Sequence, residues 1–284
     1  MNNTFNINRF GKILKHDGLN FFPNLILTLA ILWAIPVIIY LFAALMPTEE
    51  TKDAFDAMSR IDLISTLTSI ALIIAPARLY RHCNDSRKGI GYAMLPASTL
   101  EKFLSMVFYC VVVTPIIYVA GALAIDSILA LFQGPYEGFA AAYYFDRYAK
   151  LDAIFTKDNA MLDASLLIFF KSISPTFMIA LSMLGTLMIS SIFMFGNMIF
   201  KKHKTGKMLG ILILLFIIFM IVFINLVANN EALANYFNQM NEDKMAEFIK
   251  HFIFVTMNVA FYCEVIISAL MLFGLYRKIK TQKY

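Results

Sequence analysis

The chain has 284 residues, 60% of them hydrophobic and only 15% charged, a balance outside that of ordinary soluble domains. Its net charge is +5 with a pI near 9.0. The basic residues are spread over four short segments rather than gathered on one patch, which argues against nucleic acid as a partner and for membrane orientation and anionic headgroups. The three cysteines, Cys83, Cys110 and Cys263, and the four histidines, His16, His82, His203 and His251, have no spacing that suits a metal site or a disulfide framework.

From the amino end, residues 1–22 are polar and predict no cleaved signal peptide. Ile7, Phe10, Ile13 and Leu14 recur at helical spacing, with Arg9, Lys12, Lys15 and His16 opposite. That pattern predicts an amphipathic helix in the interface, its cations toward lipid phosphates. A short solvated helix is the other reading.

Six apolar stretches follow, at 23–46, 61–80, 103–132, 165–200, 208–228 and 251–276. A spanning helix needs ~20 mainly apolar residues to cross ~30 Å of hydrocarbon. The segments 1–22, 78–102, 201–207 and 277–284 hold 16 of the 24 Lys and Arg, with only Asp17, Asp85 and Glu101 as acids. The opposite segments hold the other eight basic residues and 14 acids. Basic residues near helix ends stay in the cytoplasm. The chain therefore reads as an all-α membrane bundle over 23–276, with both termini and a basic tail, 277–284, on the cytoplasmic side. Residues 47–60, 133–164 and 229–250 fall outside.

The second stretch is polar for its position, with Ser65, Thr66, Thr68 and Ser69 before Pro76. The third carries Ala120, Gly121, Ala122 and Ala124, and the fourth Ser182, Thr186 and Ser190. Small and hydroxyl residues let membrane helices approach and bond across the contact, so these three are expected in the packed interior or at a subunit contact. The fifth, Ile211 to Val227, is large aliphatic and Phe, and is expected to face lipid. At thirty-six residues the fourth stretch would reach ~54 Å as one helix, so it is expected to project outward or bend at Pro175. The outer segment 133–164, with Phe139, Tyr143, Tyr144, Phe145 and Tyr148, fits an amphipathic helix in the outer headgroup layer.

Enzyme signatures are missing. Thr205-Gly206-Lys207-Met208 lacks the leading glycine and the hydroxyl of a phosphate loop, and neither a His-Glu-x-x-His nor a Gly-x-Ser-x-Gly pattern occurs. The chain reads as a non-enzyme that binds no cofactor of its own. Any ATP it uses would be held by another chain.

Among intramembrane polar residues, Glu264 falls about halfway along the sixth stretch, where an ionised side chain costs at least ~2.5 kcal/mol. Ser268 is one turn on. The pair reads either as a site for protons or a substrate cation, or as a polar packing contact with hydroxyls of helix two or with Lys171. Asp126, ~35 Å along helix three from Phe103, is expected at the outer interface.

The gap between the second and third stretches, 81–101, runs Arg81-His82-Cys83-Asn84-Asp85-Ser86-Arg87-Lys88-Gly89-Ile90-Gly91-Tyr92-Ala93-Met94-Leu95-Pro96-Ala97-Ser98-Thr99-Leu100-Glu101. Ser98 and Glu101 have capping-box spacing, so a helix is expected to start there and run into the third span. Pro96 keeps Leu95 out of the helical region. A charged patch (Asp85, Arg87, Lys88) precedes an apolar tip (Tyr92, Met94, Leu95). A plain connector needs only a few residues, so a docking surface is the favoured reading.

The run Leu95-Pro96-Ala97-Ser98-Thr99-Leu100-Glu101-Lys102-Phe103, the helix Arg9-Phe10-Gly11-Lys12-Ile13-Leu14-Lys15 and the six-span layout with both ends inside resemble the permease subunits of ABC-2 type transporters. The chain is most similar to small bacterial permease-like proteins often seen in Bacteroidetes. The resemblance implies a coupling helix in the 81–101 loop that docks on a separate ATPase subunit through Asp85, Arg87, Lys88, Tyr92, Met94 and Leu95, with Ser98 and Glu101 as its cap. It also implies a second permease, like or unlike, and a place in the bacterial cytoplasmic membrane. The polar stretch 229–250 departs from the family, where many members have a hydrophobic re-entrant hairpin. The rival readings are a stand-alone proton-coupled carrier or channel using Glu264, and a non-transporting immunity or accessory protein.

Overall fold

The computed structural model describes residues 5–45, 56–84, 89–132, 138–144, 175–228 and 242–281. The long helices are α1 (Ile7–Leu45), α2 (Ala57–Leu79), α4 (Thr99–Leu131), α6 (Pro175–Ile199), α7 (Lys204–Ala228) and α8 (Glu242–Thr281). A 3-10 turn at Arg81–Asn84 and the short helix α3 (Gly89–Met94) join α2 to α4, and α5 (Ala140–Tyr144) follows α4. Each of the six long helices is long and apolar enough to cross a membrane. The chain is a multi-pass, all-helical membrane protein, with no strand among the described residues.

The segment expected as a separate interfacial helix and the first span form one helix. α1 runs 39 residues, ~58 Å, with Pro23 and Pro36 inside it. Its buried stripe is Ile13, Asp17, Phe21, Leu25, Leu29, Leu32 and Pro36, at spacings of three and four. One face of one helix is thus continuous across Pro23. Ile7, expected on the apolar face, is 72% exposed.

α2 begins where the Asp56 side chain accepts from the Ser59 N–H at 2.8 Å, an N-cap that satisfies one of the orphan donors of the first turn. Three of its hydroxyls, expected to bond across a helix contact, bond back along their own helix. Thr66 donates to the Asp62 carbonyl, Thr68 to Ile64 and Ser69 to Ser65. A hydroxyl four residues beyond a carbonyl is already within reach of it.

α4 widens to a π-helix at Phe108–Val113. The cause is Pro115: it lacks an N–H and its ring would crowd the carbonyl four residues earlier. The Thr114 hydroxyl donates to the Tyr109 carbonyl at 2.8 Å.

The chain divides into two compact units. The first comprises Met1–Arg147, Gly185–Thr205 and Ile267–Tyr284. In it α1, α2 and α4 pack pairwise on one another, so the first span joins the second and third in the interior. Their core includes Phe21, Leu25, Leu29, Ile64, Ala71, Tyr118 and Ala122, completed by Met194, Met198 and Leu275 from the ends of α6 and α8. Small residues set the approach: a Cβ on Gly121 would collide with the Trp33 ring, and one on Gly274 with Phe195. Trp33 is fixed there, its Nε1–H donating to the Tyr118 carbonyl at 3.0 Å and its ring stacked on Tyr118.

The second unit comprises Tyr148–Leu184 and Gly206–Ile266. Phe177 of α6 and Phe261 of α8 pack at 5.6 Å in it. Along α7, Ile211 and Ile213 through Val222 are exposed, which suits a helix bathed in lipid. The described part of α6 runs from Pro175, and the bend expected there lies at the edge of the described residues. Most of the outer segment 133–164, and Lys171, lie outside the described residues.

A candidate functional site at the 80–102 loop

The loop between α2 and α4 is folded. Ser98 caps α4, its Oγ accepting from the Glu101 N–H at 3.3 Å, while Glu101 Oε2 accepts from the Ser98 N–H at 2.8 Å. The predicted capping box is present. Glu101 reaches further than a cap. Its Oε1 accepts from the Asn6 N–H at 2.8 Å and from Arg9 Nη2 at 3.0 Å, and the carboxylate is fully buried. The start of α1 is therefore fastened to the start of α4.

Lys102 folds back over α3. Its Nζ donates to the Tyr92 carbonyl at 2.9 Å and lies 5.5 Å from the Tyr92 ring centroid, a cation–π distance. Tyr92 is only 5% exposed. Its ring meets His82 edge-on at 5.4 Å and Tyr80 at 6.4 Å. Of the expected apolar tip, Tyr92 thus faces inward, Leu95 is half-buried, and Met94 is 75% exposed. Asp85, Arg87 and Lys88 lie outside the described residues.

Beneath the loop is a buried polar cluster around Asp17. This acid occupies one position of the α1 stripe and is 7% exposed. Its Oδ2 accepts from Ser105 Oγ at 2.6 Å and from the Tyr80 hydroxyl at 3.1 Å. His16 Nδ1 is 3.2 Å from Oδ1. One carboxylate therefore binds α1, the end of α2 and α4. Burial first, and then the Asp17 charge, holds the Tyr80 phenol well above its ordinary range, so it remains a donor. A Cβ on Gly18 would collide with the Tyr109 hydroxyl, which donates to the Leu14 carbonyl at 2.7 Å. A cavity of about 10 Å³, near the lower limit for one water, is lined by Asp17, Asn20, Leu79, Tyr80, His82 and Tyr109.

The end of α6 completes the platform. Asn197 Nδ2 donates to the Tyr80 carbonyl at 3.2 Å, and Lys204 Nζ, at the start of α7, to the Arg81 carbonyl at 2.9 Å. Asn197 Oδ1 is buried with no partner among the described residues.

At the opposite end of α2 and α4, Arg60 Nη1 and Asp126 Oδ1 form a buried ion pair at 3.2 Å. Arg60 Nη2 also donates to the Gly138 carbonyl at 2.7 Å, and Asp126 Oδ2 accepts from the Ala140 N–H at 3.1 Å. Asp126 was expected at the outer interface. It is near that end of its helix, as the count along the helix predicted, but it is buried against a cation on α2. Glu264, in the second unit, has Oε2 buried with no hydrogen-bond partner among the described residues. Ser268, in the first unit, is 2% exposed and its hydroxyl is likewise unpartnered among them.

Sequence reading assigned Ser98 and Glu101 and missed the Asp17–Tyr80–Ser105 cluster, the Arg9 bond to Glu101 and, at the other end of α2 and α4, the Arg60–Asp126 pair. The one signal for Asp17 was its place among cations, four residues from Ile13 and from Phe21. No group of three or more His, Cys, Asp or Glu able to hold a metal occurs among the described residues.

No protein-family model matches the chain, and no curated protein or solved structure is significantly similar to it.

Proposed function

We propose that the chain is the transmembrane permease subunit of an ATP-driven, ABC-2 type exporter, coupled through its 81–101 loop to a separate ATPase subunit in the bacterial cytoplasmic membrane. Both termini and this loop are on the cytoplasmic side in this reading. A second permease, like or unlike, faces it across the export path. One observation carries the reading: the loop holds its own short helix with an exposed Met94, and bonds tie it to α1, α4 and α6. A passive connector needs neither the length nor those ties. Force on Met94 would reach the spans through Lys102, Tyr80 and Glu101.

The test is co-purification from gently solubilised membranes, with Arg87→Glu and Lys88→Glu as the perturbation. The reading expects an ATPase to accompany the native chain, and its activity to uncouple from this chain in the double variant without loss of insertion. Equal recovery and equal activity from both forms would overturn the assignment of this surface.

A second reading has one observation in its favour, the buried Oε2 of Glu264, which has no hydrogen-bond partner among the described residues. Intramembrane acids are expensive and default to function. As a stand-alone carrier the chain would move protons into liposomes containing a pH-sensitive dye, and Glu264→Gln would abolish that flux.

A further inference from the structure

Two stretches of chain that carry the same charge are pinned to each other at one end of the first unit. Lys204 Nζ donates to the Arg81 carbonyl at 2.9 Å and Asn197 Nδ2 to the Tyr80 carbonyl at 3.2 Å. These bonds set the turn between α6 and α7 against the end of α2. His203 takes a left-handed backbone, φ 50°, which helps reverse the chain within residues 200–203. Residues 78–88 and 200–205 hold seven Lys and Arg against one acid, Asp85. Arg78, Arg81, Lys201 and Lys202 are exposed, and none has an ion-pair partner among the described residues.

Depth decides what can occupy this patch. Phe177–Ile199 and Lys204–Val222 are both long and apolar enough to cross a membrane, and four residues join them. A turn that short reaches at most ~7 Å past the spans, about the depth of the headgroup layer. Ala57–Leu79 is likewise long and apolar enough to span, so Arg78 and Arg81 flank its end at the same boundary. Ile199, beside the turn, is 43% exposed and offers aliphatic surface to acyl chains. The carbonyl end of a helix favours a cation, which accounts for Arg78 at the end of α2. It does not account for holding two cationic segments together, an arrangement whose repulsion a shared anion relieves.

We propose that Arg78, Arg81, Lys201 and Lys202 form a binding site for the headgroup phosphate of an anionic phospholipid, whose charge fastens the α6–α7 turn to the end of α2. Guanidinium groups meet a phosphate through paired donors, and ammonium groups meet it as point charges. Tyr80 and Arg81 open the 80–102 loop, so a lipid bound here braces that loop as well. An acidic protein surface would have to reach headgroup depth to take its place.

The experiment is native mass spectrometry of the full chain released from detergent, with phosphatidylglycerol or phosphatidylcholine added. One phosphatidylglycerol per chain is expected to survive release, with phosphatidylcholine held more weakly. Lys201→Gln with Lys202→Gln, and Arg78→Gln with Arg81→Gln, are each expected to weaken phosphatidylglycerol binding by about fivefold per charge removed. The bonds to the Tyr80 and Arg81 carbonyls do not use the substituted side chains, so the two segments stay joined. Lys278→Gln with Lys280→Gln removes two exposed cations from the last turn of α8 and is expected to leave binding unchanged. An equal loss there would mean diffuse surface charge and overturn the site. So would equal retention of the two lipids, or displacement of phosphatidylglycerol by millimolar inorganic phosphate, which would make this a site for free phosphate. Unaltered lipid binding in both variants, with loss of a co-purifying ATPase, would assign the patch to that protein and overturn the proposal too. The lipid measurements need no ATPase, so their outcome is separate from that of the transport readings.

Discussion

The fully buried Glu101 carboxylate accepts the Arg9 guanidinium at 3.0 Å across 92 residues of chain. A residue whose spacing marks it as a helix cap is therefore also the anchor of the amino-terminal helix. The consequence is mechanical. The first span, the loop and the third span share one hydrogen-bonded node, and a displacement of the loop must either carry α1 with it or break charge-assisted bonds.

Removing the node should be worse than removing the cap. Ser98→Ala deletes one capping acceptor and is expected to destabilise by about 1 kcal/mol. Glu101→Ala leaves the Asn6 and Ser98 N–H groups and Arg9 without their acceptor, and is expected to destabilise by about 2–4 kcal/mol. Thermal unfolding of the two variants in the same detergent compares them directly, and equal losses would argue against the Arg9 and Asn6 contacts.

Trp33 is the only tryptophan in the chain, which makes the α1–α4 contact optically visible. Gly121→Ala would drive a methyl into its ring, and the ring is held by the Tyr118 carbonyl and by stacking. The expected result is a loss of about 1–3 kcal/mol from overpacking, with a shifted Trp33 emission maximum. An unmoved spectrum would show that the helices do not meet at this pair.

The Arg60–Asp126 pair has each side chain 3% exposed, so neutralising one partner strands the other in the bundle. Arg60→Ala and Asp126→Ala are each expected to cost about 3–5 kcal/mol. The double variant should lose less than the sum of the two singles. Additive losses in that cycle, measured by unfolding in detergent, would mean the two do not interact.

Cys83 is completely buried and burial pushes its thiol well up, so little thiolate exists at neutral pH. Its alkylation by maleimide at pH 7 should be negligible in the folded protein from either side of the membrane, and complete after denaturation. Mass spectrometry of the peptide carrying Cys83 reads the result. Rapid labelling of the folded chain would contradict the packing of the loop.

What the sequence made legible was local. The six spans follow from length and apolarity, the α4 cap from Ser98 and Glu101, and the exposed face of α7 from its uniform aliphatic run. What stayed hidden depends on partners far apart in the chain. Asp17 counted only as one acid among cations, and nothing nearby in sequence indicates Ser105 or Tyr80. Arg60 fell at the edge of a predicted span and was tallied as a loop charge. Pro23 read as a boundary, although α1 passes through it. In a long span, neighbouring helices can hold a proline that would end a helix in water.

The most direct test of the central proposal is photo-crosslinking from Met94, the exposed tip of the loop. A photoreactive residue replacing Met94 in native membranes is predicted to capture an ATP-binding subunit, with a weaker yield once Arg87→Glu and Lys88→Glu are added. Adducts with lipid alone, unchanged by those substitutions, would contradict the account.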